Sequence, residues 1–364
     1  MINQLSDFIH KTFPLIPARD LMCLSQMVVA LIRERTVNLK KLSLHCLYTS
    51  KKPEAKYRRL QRFLSRTCLT QNQWAGLVMS FFKEPVLLAL DRTNWAFGQF
   101  QINILVLSVV YQNCAVPLFW VLLPHKGASS PDRRRALVND FLHLFGRQKI
   151  QALVMDREFI GPEWLGFLNA QGVTFHVRLR NNIKIARGQG ELRSPAYDFS
   201  SLQSLEVWHL PSLRKLGCKK EGMRLLVSLT RSKDGELVII ASNKDQAASL
   251  ERYAQRWSIE TLFGCLKNRG FCMEETHLTN PDKISNLLMV LSFAFFWALR
   301  LGEWIHTVIP VKFKKHARKA VSLFRVGLDS LVLASHKAFS WLLTPLTPSP
   351  KPPSIPCLSF LGLH

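Results

Sequence analysis

The chain has 364 residues, 48% of them hydrophobic, and a formal net charge of +24 with a pI near 10.1. That apolar share is enough for a substantial core and two or three domains. The charge implies a polyanionic partner, nucleic acid first and an anionic membrane surface second. The eight cysteines (Cys23, Cys46, Cys68, Cys114, Cys218, Cys265, Cys272 and Cys357) are dispersed without a CxxC pair, which argues against a disulfide scaffold and a structural zinc site.

Residues 1–82 read as helical, with apolar periodicity over Leu21–Ile32, Val37–Leu47, Tyr57–Leu64 and Trp74–Phe82. The opening Met1–Asp7 has no basic n-region and h-region pair, so no signal peptide is expected and a cytoplasmic location is the expectation. A polar turn, Tyr48–Pro53, precedes a basic helix that places Arg58, Arg59 and Arg62 on the face away from its apolar residues. The expectation is a helix–turn–helix docking that helix on DNA; the alternative is a solvated basic helix without groove contact.

From residue 84 the pattern turns to strands. Pro85–Asp91 is a short apolar run closing on a carboxylate, and Ile150–Asp156 repeats it. Such runs read as strands buried on both faces, and an Asp at the carboxyl end of a central strand lies where open α/β sheets gather ligands. Gln101–Tyr111, a turn at Gln112–Asn113 and Ala115–Pro124 complete a three-stranded meander. A helix at Pro131–Phe145 leads to the Asp156 strand, and a helix at Pro162–Ala170 and a strand at Val173–Leu179 follow. The order βββαβαβ, with acids closing the first and fourth strands, suggests an RNase H-like core. Trp95, four residues past Asp91, reads either as a substrate contact or as packing at a strand end. Glu158 is a nearby competitor for metal.

Residues 181–243 read as a β-rich insertion, with strands at Leu205–Leu210, Met223–Leu229 and Glu236–Ala241. Arg178, Arg180, Lys184, Arg187, Arg193, Arg214, Lys215, Lys219 and Lys220 make the region basic. Trp208 stands in the first of those strands, where core packing is the plainer reading.

Next comes Tyr253-Ala-Gln-Arg256-Trp-Ser-Ile-Glu260, followed by Lys267. On one continuous helix these four side chains fall at about 0°, 300°, 340° and 320°, a sector of roughly 60° over about 21 Å. One carboxylate among two cations and a phenol suits a surface where metal meets phosphate, Glu260 binding the metal and Arg256 and Lys267 the phosphate oxygens. Trp257 lies off that stripe and is expected in the core, and thiol packing in a reducing cytoplasm accounts for Cys265 and Cys272 beside His277. Leu287–Leu299, an apolar stretch of thirteen residues interrupted only by Ser292, is short for a membrane span and is expected as a buried helix covering the sheet. Beyond residue 308, Lys312, Lys314, Lys315, Arg318 and Lys319 precede an apolar helix and a Pro-rich stretch, Thr344–Pro356. The expected division is therefore 1–82 helical, 83–180 with 244–308 catalytic, 181–243 inserted and 309–364 basic and Pro-rich.

The pattern Y-x-x-R-x-x-x-E-x-x-x-x-x-x-K resembles the signature of the fourth numbered family of bacterial insertion-sequence transposases of the DDE type. Asp91-Arg-Thr-Asn-Trp95 and Asp156-Arg-Glu-Phe159 also resemble that family's first and second acidic motifs. The resemblance runs from the basic helices through Lys319. It implies an RNase H-like fold with a β-rich insertion, an N-terminal helical domain recognising element ends, and Asp91, Asp156 and Glu260 as the acidic triad. It also implies excision through hairpin ends and strand transfer by a homodimer on paired terminal repeats, with an aromatic of the insertion, for which Trp208 is the candidate, receiving an extruded base. From the residues themselves, three carboxylates can hold two divalent ions about 3.5–4 Å apart, and hard oxygen ligands point to Mg²⁺ with Mn²⁺ as a substitute. Two rivals stay open: a DNA-binding relative that does not cleave, and an RNase H-like nuclease that cleaves without joining.

Overall fold

The computed structural model describes residues 2–46, 52–66, 69–186, 192–193, 201–210, 214–216, 223–314, 319–334, 340–348 and 350. Residues 48–51 of the turn expected at Tyr48–Pro53, Arg187, Lys219, Lys220, Lys315, Arg318 and most of the Pro-rich stretch lie outside them. The chain divides into two compact units: Met1–Lys83 with Asn94–Ile102 and Leu262–His364, and Glu84–Thr93 with Asn103–Thr261.

The first unit begins with helices α1 (Ile2–Thr12), α2 (Ala18–Glu34), α3 (Leu39–Leu44), α4 (Pro53–Leu64) and α5 (Gln71–Met79). Local chemistry sets their starts. Asn38 accepts from the Lys40 and Lys41 amides ahead of α3, Pro53 is the first residue of α4, and Thr70 with Gln73 forms a capping box on α5.

The second unit is built on a sheet. Strands β1 (Val86–Phe97), β2 (Phe100–Tyr111) and β3 (Cys114–Leu122) form the expected meander. Gln112 and Asn113 turn β2 into β3 with φ of 51° and 61°, the backbone a two-residue hairpin needs. Helix α6 (Pro131–Phe145) is capped by Ser130 and stopped at Gly146, whose φ of 75° suits glycine. Then come β4 (Ile150–Met155), α7 (Pro162–Ala170) and β5 (Phe175–Arg178), giving the order β3-β2-β1-β4-β5. β1, β4 and β5 run parallel, with Leu90 opposite Met155 and Met155 opposite Val177.

The insertion continues this sheet from its β5 edge. It contributes β6 (Ile185–Ala186), β7 (Leu192–Arg193), β8 (Val207–His209), β9 (Arg214–Leu216), β10 (Met223–Arg231) and β11 (Leu237–Ser242). β11 pairs antiparallel with β5, β10 with β11, and β8 and β9 both with β10. The short β6, β7 and β9 carry too few residues to show a period in the sequence.

Two expectations need correction. Asp91 does not end its strand: β1 runs on to Phe97, and only the pairing with β4 stops, at Leu90. The Tyr253–Lys267 segment is not one helix either. It breaks into α8 (Ser249–Ala254) and α9 (Trp257–Leu266), because Arg256, Ser258 and Ile259 donate to carbonyls three residues back.

Returning to the first unit, α10 (Pro281–His306) is capped by Asn280, and α11 (Leu323–Ala334) packs along it. By length and composition α10 could cross a membrane, yet its most apolar window is 89% buried. Its partners within the unit are helices α2, α4 and α11. Trp74 of α5 meets Phe296 edge-on at 5.8 Å and Phe293 at 6.0 Å, the tilted geometries aromatic rings prefer. At the α10–α11 crossing Gly302 faces Gly327: a Cβ on Gly302 would lie 1.8 Å from the Leu323 carbonyl oxygen, and one on Gly327 1.7 Å from that of Ala298. Only glycine permits that approach.

Candidate active site

The three acids belong to the sheet-based unit. Because Leu90 pairs with Met155 on parallel strands, Asp91 and Asp156 emerge side by side at the same end of neighbouring strands. Glu260 comes from the first turn of α9 and is joined to them through one cation. Arg256, in the break before α9, donates from Nη1 to Asp91 Oδ2 at 2.9 Å and from Nη2 to Glu260 Oε1 at 2.6 Å. The Tyr253 hydroxyl donates to Asp156 Oδ1 at 3.2 Å, and the Arg256 guanidinium lies 5.7 Å from the Tyr253 ring centroid. The helix break therefore does not scatter the stripe: Tyr253, Arg256 and Glu260 all face the two aspartates.

The electrostatics follow from burial. Desolvation pushes the Asp91 carboxyl up to about 7, over the opposing pull of Arg256 and the Arg92 amide and with further lift from Glu158 and Asp156. Burial lowers Arg256, but Tyr253, Asp91, Asp156 and Glu260 outweigh it and hold the guanidinium above its ordinary value. Burial also raises the Tyr253 phenol to about 12, so it stays a donor. Among the described residues no three His, Cys, Asp or Glu side chains are gathered closely enough to hold a metal ion. The donor set nonetheless fits a hard divalent ion. All three groups are carboxylates, and Asp91 lacks enough positive charge to ionise at its usual value while Arg256 bridges it to Glu260.

Neighbouring polar groups fix the loop after β4. Arg92 donates to both Glu158 oxygens at 2.8–3.3 Å and to Asn103 Oδ1 at 3.1 Å, so Glu158 is held by Arg92 and not left free as a ligand. Arg134 of α6 donates to Ser129 and to the Glu158 carbonyl and lies over the Phe159 ring at 5.0 Å. Sequence reading missed Arg134, because its run Arg133-Arg134-Arg135 looks like a solvated face; only Leu137 and Phe141 on the same side hint that Arg134 turns inward.

The remaining candidates fall in other places. Lys267 lies just past α9 in the helical unit, where its Nζ donates to the Asn94 carbonyl at 3.1 Å, pairs with Glu274 at 2.8 Å and sits 5.7 Å from the Trp95 ring centroid. Trp95 is 8% exposed, which leaves little face for a base. Trp208 is 48% exposed on β8, its Nε1 donating to Glu206, so the core reading of this residue does not hold. Trp257 is also not in the core. It is 65% exposed because α9 buries Ile259, Leu262, Phe263 and Leu266, and Trp257 points to the opposite side. Arg58 and Arg62 are exposed on α4 and line a groove with Lys52 and Lys283, while Arg59 is partly buried.

The family described as the transposase DDE domain matches residues 83–297, more than half of the chain. The chain belongs to that family: it is a DNA transposase, a DNA-binding enzyme of transposition. No curated protein matches it. Among solved structures it is similar to one described as the cryo-EM structure of a piggyBac transposase synaptic complex with hairpin DNA. The identity is 11% and the TM-score 0.44, over 98% of this chain and 86% of that one.

Proposed function

We propose that this chain is an insertion-sequence transposase of the Tyr-Arg-Glu-Lys type with an RNase H-like core. It cuts at element ends and joins them to target DNA, acting as a homodimer on paired terminal repeats in the bacterial cytoplasm. The observation that carries this is Asp91 and Asp156 side by side on parallel β1 and β4, with Glu260 tied in through Arg256.

Asp91, Asp156 and Glu260 would hold two Mg²⁺ ions, which when bound supply Lewis-acid activation of the attacking and leaving oxygens. Tyr253 fixes the Asp156 carboxylate by donating to it. Arg256, released from Asp91 and Glu260, offers a planar fork to phosphate oxygens. In the cleavage step water attacks the scissile phosphorus and the P–O3′ bond breaks, leaving a 3′-hydroxyl. In the following step that oxygen attacks phosphorus on the opposite strand and closes a hairpin, as the bond from that phosphorus to the 3′-oxygen of the flanking DNA breaks and the flank leaves with a 3′-hydroxyl. Lys267 serves as a backbone contact, Trp208 as the platform for an extruded base, and Arg58, Arg59 and Arg62 as contacts to the element end.

The test uses DNA carrying both ends of the protein's own locus, with Mg²⁺, and products resolved on a denaturing gel beside Asp91→Asn. Hairpins or joined ends absent from the variant support the proposal. Cutting without joining indicates a nuclease, and binding with no cut under Mg²⁺ or Mn²⁺ indicates a non-cleaving relative.

A further inference from the structure

The acid-lined end of the sheet opens into a cavity of about 680 Å³ whose wall includes Asp91, Asp156 and Glu158 together with Arg92, Arg157 and Arg180. A DNA strand entering it meets three carboxylates, so phosphate approach needs cations that are not already committed. Arg92 is committed, since its guanidinium is spent on Glu158 and Asn103. Arg157 and Arg180 are exposed, and among the described residues neither forms an ion pair. Two arginines nearby in the chain are paired instead: Arg178, two residues before Arg180, is bound to Glu236, and Arg252 to Asp245.

The topology explains why these two sit together. Met155 pairs with Val177 on parallel β4 and β5, so Arg157 and Arg180 leave the carboxyl ends of adjacent strands just past the last paired residues. Both line the cavity that Asp156 lines. A guanidinium offers a planar, always-charged fork matched to phosphate oxygens.

We propose that Arg157 and Arg180 form a clamp at the mouth of this cavity for the DNA backbone phosphates that flank the scissile one. This rests on the transposase reading above and adds two residues outside the metal-binding set. Both side chains are exposed, so Arg157→Ala, Arg180→Ala and the double variant should keep the thermal midpoint of the parent.

Binding of a duplex from the locus end is measured in the Asp91→Asn background across 50–200 mM salt. Each lost contact should lower the slope of log K against log salt by about 0.9. In the otherwise unaltered enzyme each variant should lose roughly tenfold in cleavage at sub-saturating DNA, the strength of one charge-assisted hydrogen bond, and much less at saturation. A duplex with a neutral methylphosphonate beside the scissile phosphate should erase the difference between parent and Arg180→Ala. Unchanged slopes in both single variants would overturn the clamp whether or not the parent cleaves. A parent that binds but never cleaves overturns the transposase reading instead, and the slopes then still decide whether these arginines hold phosphate.

Discussion

The acid-lined end of the sheet and the α10–α11 crossing are held by opposite means. At the first, charged groups lock one another: Arg256 to Asp91 and Glu260, Tyr253 to Asp156, Arg92 to Glu158. At the second, two helices touch because atoms are absent, with Gly302 and Gly327 leaving no room for a Cβ. The difference teaches that damage at one should cost chemistry and spare the fold, while damage at the other should cost the fold. Losing the Asp91 carboxylate removes a group whose burial already disfavours its charge. Adding one carbon at the crossing pushes two helices apart.

The largest effect should come from Asp91→Asn, Asp156→Asn and Glu260→Gln. Each should lower single-turnover cleavage by on the order of 10³-fold or more with DNA binding retained, as should chelation of divalent ions. A variant that still cuts would take its residue out of the site and weaken the contrast. Gly302→Ala or Gly327→Ala should destabilise the protein by about 3 kcal/mol, seen as a lower denaturant midpoint. A neutral result would mean the crossing slides open easily. Arg256→Ala should slow cleavage by about 10²-fold through lost charge-assisted contacts. Unchanged rate and salt dependence would confine Arg256 to pairing the acids.

The smallest effect tests a buried group that belongs to neither region. His176 on β5 is fully buried, shares a 2.7 Å hydrogen bond with Ser242, and is pushed down to about 4 by burial, aided by Arg252 and opposed by Asp245. A folded value below the unfolded one means stability present above about 6.5 and lost as pH falls toward 4. About 2 kcal/mol should disappear between pH 7 and pH 5. His176→Asn should show a flatter denaturant-midpoint profile over that window, and an equal slope would assign the loss to other groups.

The two regions also differed in how far the sequence disclosed them. Asp91 and Asp156 were legible because each closes an apolar run, and Arg256 and Glu260 because their spacing suits one helical face. The break at Arg256 was not, since nothing in its residue types separates a tightened turn from a continuous helix. The meander was legible through the Gln112–Asn113 turn between its apolar runs, and α6 through its residue pattern over Pro131–Phe145. The exposure of Trp208 and Trp257 was not, because an aromatic reads as core until its neighbours are known. Least legible was the glycine crossing. A glycine inside a helix reads only as a weak helix former, and its partner lies 25 residues away.

The pairing of Leu90 with Met155 has a genetic consequence. Side chains alternate faces along a strand, so losing one codon among residues 86–90 or 150–155 would turn the acid to the other side of the sheet. The reading frame would be intact and the apolar run still long enough to form a strand. Such an allele would make a folded, DNA-binding, chemically silent protein, able to occupy element ends and hinder a working copy. Screening in-frame deletions there for dominance over the parent would show whether inheritance at this locus turns on strand register.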